Sequence, residues 1–143
     1  MLFRSLSARK MRERGTRFIS RESAVLRGFR VVLCIWKDDG FGYANIIPDE
    51  ESTVYGALYI CLKGSLTKLD EHEAGRLRRV NVQVERKSVE IVDATAYQAY
   101  EKYVKEELKP SQIYINEILE GEDLIPKEYA DYFRNFLCDK TEK

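Results

Sequence analysis

Leu69-Asp70-Glu71-His72-Glu73-Ala74-Gly75 packs four acids and bases between two strand-like runs. Val54-Tyr55-Gly56-Ala57-Leu58-Tyr59-Ile60-Cys61 precedes it, and Val80-Asn81-Val82-Gln83-Val84 follows. Ser65 is a helix N-cap residue type, Leu66 and Leu69 recur at i and i+3, and Gly75 is a stop signal, so residues 65–73 read as a short helix. Val80, Val82 and Val84 then fall on one face of a strand, with Arg79, Asn81 and Gln83 on the other. A strand–helix–strand corner of this kind sets a carboxylate beside a packed interior, where a general acid/base is built. On pattern alone, however, Glu73 is also a helix-end carboxylate paired with Arg76 or Arg78 in solvent.

Outward from this corner the chain is α+β with a strongly β centre. Residues 89–97 answer the valine strand as a hairpin partner across 85–88. Upstream, 23–26 and 29–36 read as two strands, and 37–42 is a turn with two glycines. A short strand over 43–47 is stopped by Pro48, an acidic loop covers 49–52, and 53–62 is the clearest strand. Ser7 caps a short helix that ends at Gly15. Residues 100–108 have mixed helical spacing closed by Pro110, and 111–119 are helical. Pro126 then opens a helix striped with Tyr129, Phe133, Phe136 and Leu137. There are no internal repeats and no low-complexity linker.

The 143 residues fit a single domain, spanning 1–143. Hydrophobic content of 44% is that of a globular chain, and no apolar run approaches a membrane span. Cys34, Cys61 and Cys138 are odd in number and widely spaced, which argues against a disulfide framework or a zinc site and for free thiols in a cytoplasmic, reducing setting. His72 is the only histidine. Net charge is zero but uneven, with nine Lys/Arg against Glu13 and Glu22 in the first 30 residues. No aromatics interleave with that cluster as stacking platforms, so a solvated basic face is favoured over a nucleic-acid surface. Residues 1–14 share the Arg/Ser bias of a presequence, but Glu13 and the lack of an amphipathic stripe argue against one.

Four stretches in this order resemble the γ-glutamylcyclotransferase-like (avirulence-induced-gene-like) family. They are Gly42-Tyr43-Ala44-Asn45-Ile46-Ile47-Pro48, Val54-Tyr55-Gly56-Ala57-Leu58-Tyr59, Leu66-Thr67-Lys68-Leu69-Asp70-Glu71-His72-Glu73, and Pro110-Ser111-Gln112-Ile113-Tyr114 with Leu124-Ile125-Pro126-Lys127-Glu128-Tyr129. The resemblance runs from about residue 9 to 136. It implies a small mixed β-barrel flanked by short helices, with a pocket at one end and no metal or cofactor. It also implies the family reaction, in which the α-amine of a γ-glutamyl group attacks its own γ-carbonyl and releases 5-oxoproline and an amine. A buried carboxylate can carry both proton transfers in turn, and the matching residue is Glu73. Tyr97 and Tyr114 fall where the family lines its pocket with tyrosines. Trp36 and Phe41 read as core, and His72 as exposed.

The N-terminus departs from the family pattern. Members open with a strand and a Tyr-Gly-Ser-Asn loop whose backbone N–H groups grip the glutamyl part. Here Phe3-Arg4-Ser5 stands in that place, the strand is expected to be nearly absent, and Arg4 and Ser5 become the candidate substrate contacts. Loss of oxyanion donors costs about 10²–10³ in rate, so a catalytically silent member binding a small metabolite or a protein is the second reading. A barrel edge left open would be a homodimer contact.

Overall fold

A computed structural model describes residues 1–4, 7–37, 39–73, 75–105 and 108–141, with side chains up to residue 135. Five strands form a closed barrel in the order β1-β3-β2-β4-β5. They are β1 (Leu2–Arg4), β2 (Phe18–Trp36), β3 (Gly42–Cys61), β4 (Leu77–Arg86) and β5 (Ile91–Ala99). Four helices surround them: α1 (Ala8–Glu13), α2 (Leu66–Glu73), α3 (Gln112–Leu119) and α4 (Lys127–Thr141). Among the described residues, no helix is long and apolar enough to cross a membrane. The expected α+β barrel class is thus observed.

The opening strand expected to be nearly absent is present and closes the barrel. Leu2, Phe3 and Arg4 pair antiparallel with Tyr59, Leu58 and Ala57 of β3, and Leu2 pairs parallel with Thr95 of β5. The Thr95 N–H donates to the Met1 carbonyl at 2.8 Å. Three residues suffice because alternation buries both faces. Phe3 enters the barrel core with Leu26, Val54, Leu58 and Val84. Leu2 packs outside with Met11 of α1, Leu69 of α2 and Tyr59. The edge expected to be open for a second copy is therefore occupied by β1.

Two further boundaries differ from the expectation. The strands read at 23–26 and 29–36 are one strand, as are 43–47 and 53–62, and β2 and β3 form one long antiparallel hairpin. The register shifts between Arg27 and Phe29, where Gly28 adopts φ +85°. A glycine bulge kinks a strand without ending it. Pro48 sits opposite Phe29 on a stretch of β3 paired only with β2, where its missing N–H interrupts no second ladder. Beyond the bulge the hairpin arm folds back, so that Phe29, Val31 and Ile46 pack on the barrel core. The described part of 100–108 holds a 3₁₀ turn at Glu101–Tyr103 and a bridge from Val104 to Ile35.

The β4–β5 hairpin matches the alternation, with Val82 and Val84 buried and Val80 partly so. Ser7 and Ser111 cap α1 and α3 by accepting from the N–H of Lys10 and Tyr114. Of the terminal stripe, Tyr129 and Phe133 pack against Ile115 and Ile118 of α3. The side chains of Phe136, Leu137 and Cys138 lie outside the described residues. Cys61 is a free thiol, and Cys34 is buried.

Asn45 ties the folded-back arm to the barrel. It is buried, its Oδ1 accepts from the Ala99 N–H at 3.0 Å, and Gln98 donates to the Ile46 carbonyl at 3.1 Å beside it. Replacing Asn45 by Leu leaves the Ala99 N–H buried without an acceptor. We expect Asn45→Leu to lower the unfolding free energy by about 1–3 kcal/mol, read as a shift in the urea midpoint at unchanged slope. An unchanged midpoint would show the tie to be dispensable.

Candidate active site

The folded-back arm, β1, the end of α2, and helices α3 and α4 enclose a cavity of about 120 Å³. In this measure one water takes about 10–15 Å³, so roughly ten waters or one small organic molecule fit. Its apolar wall includes Phe3, Val31, Ile35, Val54 and Phe133. Its polar lining holds Arg4, Arg14, Lys37, Glu73 and Glu117, with Tyr97 and Tyr114. Of the sequence-predicted site residues, Glu73, Arg4, Tyr97 and Tyr114 all meet here. Ser5 lies outside the described residues.

Glu73 is the last residue of α2 and only 6% exposed. Its carboxylate is held by two arginines from the N-terminal segment, whereas Arg76, a partner the local pattern suggests, donates its backbone N–H to the Glu73 carbonyl at 3.0 Å. Arg4 Nη2 donates to Glu73 Oε1 at 3.1 Å and Arg14 Nη1 to the same oxygen at 3.4 Å. The reason is positional. Arg4 follows the two apolar anchors of β1, and Arg14 is the C-cap of α1, whose buried Met11 pins that helix to the barrel. Both side chains are thereby carried to the end of α2. Burial and the neighbouring Arg4 charge lower the Arg14 pKa, and Glu73 opposes them.

Arg14 was missed in the sequence because nothing local marks it among nine early cations. Lys37 was missed likewise. It lies at the mouth of the arm with its ammonium 4.1 Å from the centre of the Tyr43 ring, and burial lowers its pKa. The second lining carboxylate, Glu117, is held by Lys10 at 3.2 Å.

The two tyrosines are fixed rather than free. Tyr97 is buried and donates to Asp70 Oδ1 at 2.5 Å, while the Arg4 guanidinium lies 5.2 Å from its ring centre. Burial chiefly, and this bond next, raise the Tyr97 pKa. Tyr114 accepts from the Ala44 N–H at 2.9 Å and meets Tyr43 edge-on at 4.7 Å. Desolvation around its hydroxyl raises its pKa. Asp70 is half-buried and tied to Arg79 at 2.6 and 2.9 Å, whereas His72 is exposed. Neither Trp36 nor Phe41 lines the cavity. Among the described residues, no group of three or more His, Cys, Asp or Glu is placed to hold a metal ion.

Gly56 makes the inner wall possible. A Cβ there would stand 2.9 Å from the Phe3 ring and 3.1 Å from the Arg4 carbonyl oxygen. Its bare backbone admits β1 at the distance that puts Arg4 on Glu73.

A closed five-stranded barrel with a carboxylate buried in a helix-roofed cavity defines a class of small pocket proteins. Residues 4–117 match the family model described as gamma-glutamyl cyclotransferase, AIG2-like, and the chain belongs to that family. Among solved structures, a gamma-glutamyl cyclotransferase superposes with TM-score 0.80 at 20% identity, covering 93% of this chain and 85% of the other. An uncharacterized human protein gives 0.77 at 21%, with the same coverages. A yeast gamma-glutamyl cyclotransferase specific to glutathione gives 0.72 at 13%, covering 95% and 93%. At these identities the likeness is one of fold. No curated protein sequence matches the chain significantly.

The Asp70 pKa is lowered by its hydrogen bond from Arg79 and then by Tyr97. A depressed carboxylate stabilises the fold above its unfolded pKa, near 4, and that stabilisation is lost as pH falls through the folded value. Asp70→Asn is therefore expected to flatten the fall in thermal midpoint below about pH 4 relative to the parent chain. Parallel curves for the two proteins would show that Asp70 is not linked to acid stability.

Proposed function

We propose that this chain converts a γ-glutamyl amine or peptide into 5-oxoproline and the free amine, with Glu73 as the proton carrier. Family membership supports a cyclotransferase-type function. The observation that carries the finer reading is Glu73 itself, a carboxylate buried in the wall of a cavity large enough for a small substrate.

In this reading the α-amine nitrogen attacks the γ-carbonyl carbon of the same glutamyl group. A ring C–N bond forms as the bond to the leaving amine breaks, and no water is consumed. Glu73 takes the proton that the attacking amine must shed and returns it to the departing nitrogen. Both arginine contacts fall on Oε1, so Oε2 is the oxygen that faces this task. The apolar wall and fixed tyrosines restrict the glutamyl chain to folded conformers, which favours ring closure over hydrolysis. The free thiol of Cys61 is in keeping with a reducing, cytoplasmic setting.

A panel of γ-glutamyl amines and amino acids, assayed for 5-oxoproline, tests this. Glu73→Gln keeps the size of the side chain but carries no proton, and we expect release to fall by about 10²–10⁴ at a temperature where circular dichroism shows the variant still folded. Undiminished release in that variant would overturn the role of Glu73. No release from any compound by the parent chain would overturn the reaction.

A further inference from the structure

We propose that Arg4 and Arg14 form the anion-binding half of this cavity and that its ligand presents a free carboxylate to them. This rests on the reading of the cavity as a ligand site and deepens it by assigning residues and charge. Both guanidiniums are largely enclosed, with side chains 13% and 15% exposed. Each spends one nitrogen on Glu73 Oε1. Arg4 Nη1 and Arg14 Nε are then left buried with no hydrogen-bond partner. Guanidinium N–H groups taken out of water without an acceptor are costly, and both residues line the same cavity. An acceptor that enters it and reaches these groups, with a small turn of either guanidinium, would relieve that cost.

Charge selects the acceptor. At the two unpartnered donors, two guanidiniums against one Glu73 carboxylate leave a single positive charge, since Glu117 is answered by Lys10 and the third lining cation, Lys37, sits over the Tyr43 ring. A singly charged carboxylate matches this residue, whereas a doubly charged phosphate would set one charge against Glu73. Charge-assisted bonds from arginine to carboxylate are also short and directional. The ligand's carboxylate thus shares the arginines with Glu73, and the rest of the molecule extends along the apolar wall.

The test uses unreactive probes on the full chain: glutaramate, which has one carboxylate and a terminal amide; glutaramide, its neutral diamide; and inorganic phosphate. Binding is followed by calorimetry and by the Nε–H resonances of arginine in ¹⁵N-edited spectra. Glutaramate is expected to bind and to move the Arg14 Nε–H signal, with glutaramide silent. Arg4→Met and Arg14→Met should each weaken it by about tenfold or more. Arg14→Lys, which keeps the charge, serves should the methionine variants fail to fold, and should weaken binding because the Nε donor is gone. Equal binding of acid and diamide, no binding of glutaramate, or unchanged affinity in the folded variants would overturn the proposal. Tighter binding of phosphate than of glutaramate would overturn the carboxylate assignment. Carboxylate binding in a chain that releases no 5-oxoproline would sink the cyclisation reading alone. Turnover with unchanged KM in the arginine variants would sink this inference alone.

Discussion

Three backbone pairings between Leu2–Arg4 and β3 hold the architecture together, because without them the barrel is an open sheet. Their effect reaches both layers of the core. Phe3 fills the barrel interior, and Leu2 supplies the outer surface on which α1 and α2 rest through Met11 and Leu69. Gly56 is the condition for this approach, since any side chain there would meet the Phe3 ring. One consequence is geometric. The strand that closes the fold also delivers Arg4 to Glu73, so closure and site assembly are one event.

The uneven charge of the chain acquires its meaning in this arrangement. The early cations are internal counterions for acids far along the sequence. Arg9 pairs with Glu120, Lys10 with Glu117, Arg21 with Asp123 and Arg27 with Glu85. Most of these pairs are solvent-exposed and contribute little each. The Arg4–Glu73–Arg14 group differs because it is enclosed. Removing one member of such a group leaves an uncompensated charge and typically costs about 3–5 kcal/mol. The same three residues therefore anchor α1 and α2 against β1 and set the electrostatics of the cavity.

Local signals carried much of this structure. The valine alternation of β4, the serine caps of α1 and α3, and the apolar stripe opening at Pro126 are governed by neighbours within a few residues, and they were legible. Pro48 and the acidic run after it read as a chain break. They did not break the strand because β3 there has one partner only, a property set by the barrel and not by the local sequence. The partners of Glu73 were illegible for the same reason. Arg76 and Arg78 lie close in sequence, yet α2 ends facing the N-terminal segment. Tyr97 and Tyr114 are singled out in the sequence only through the family resemblance, since aromatic residues in apolar surroundings carry no address of their own.

The single parallel pairing of Leu2 with Thr95 has a kinetic meaning. It joins the first strand of the barrel to the last, so the longest loop in the sheet must close before β1 finds both neighbours. Contacts of such sequence separation slow folding, because chain entropy is lost before they can compensate for it. The β2–β3 and β4–β5 hairpins form from adjacent segments and need not wait. On this order of events Arg4 reaches Glu73 only when the barrel seals, and the chain carries no assembled cavity until β1 has been captured.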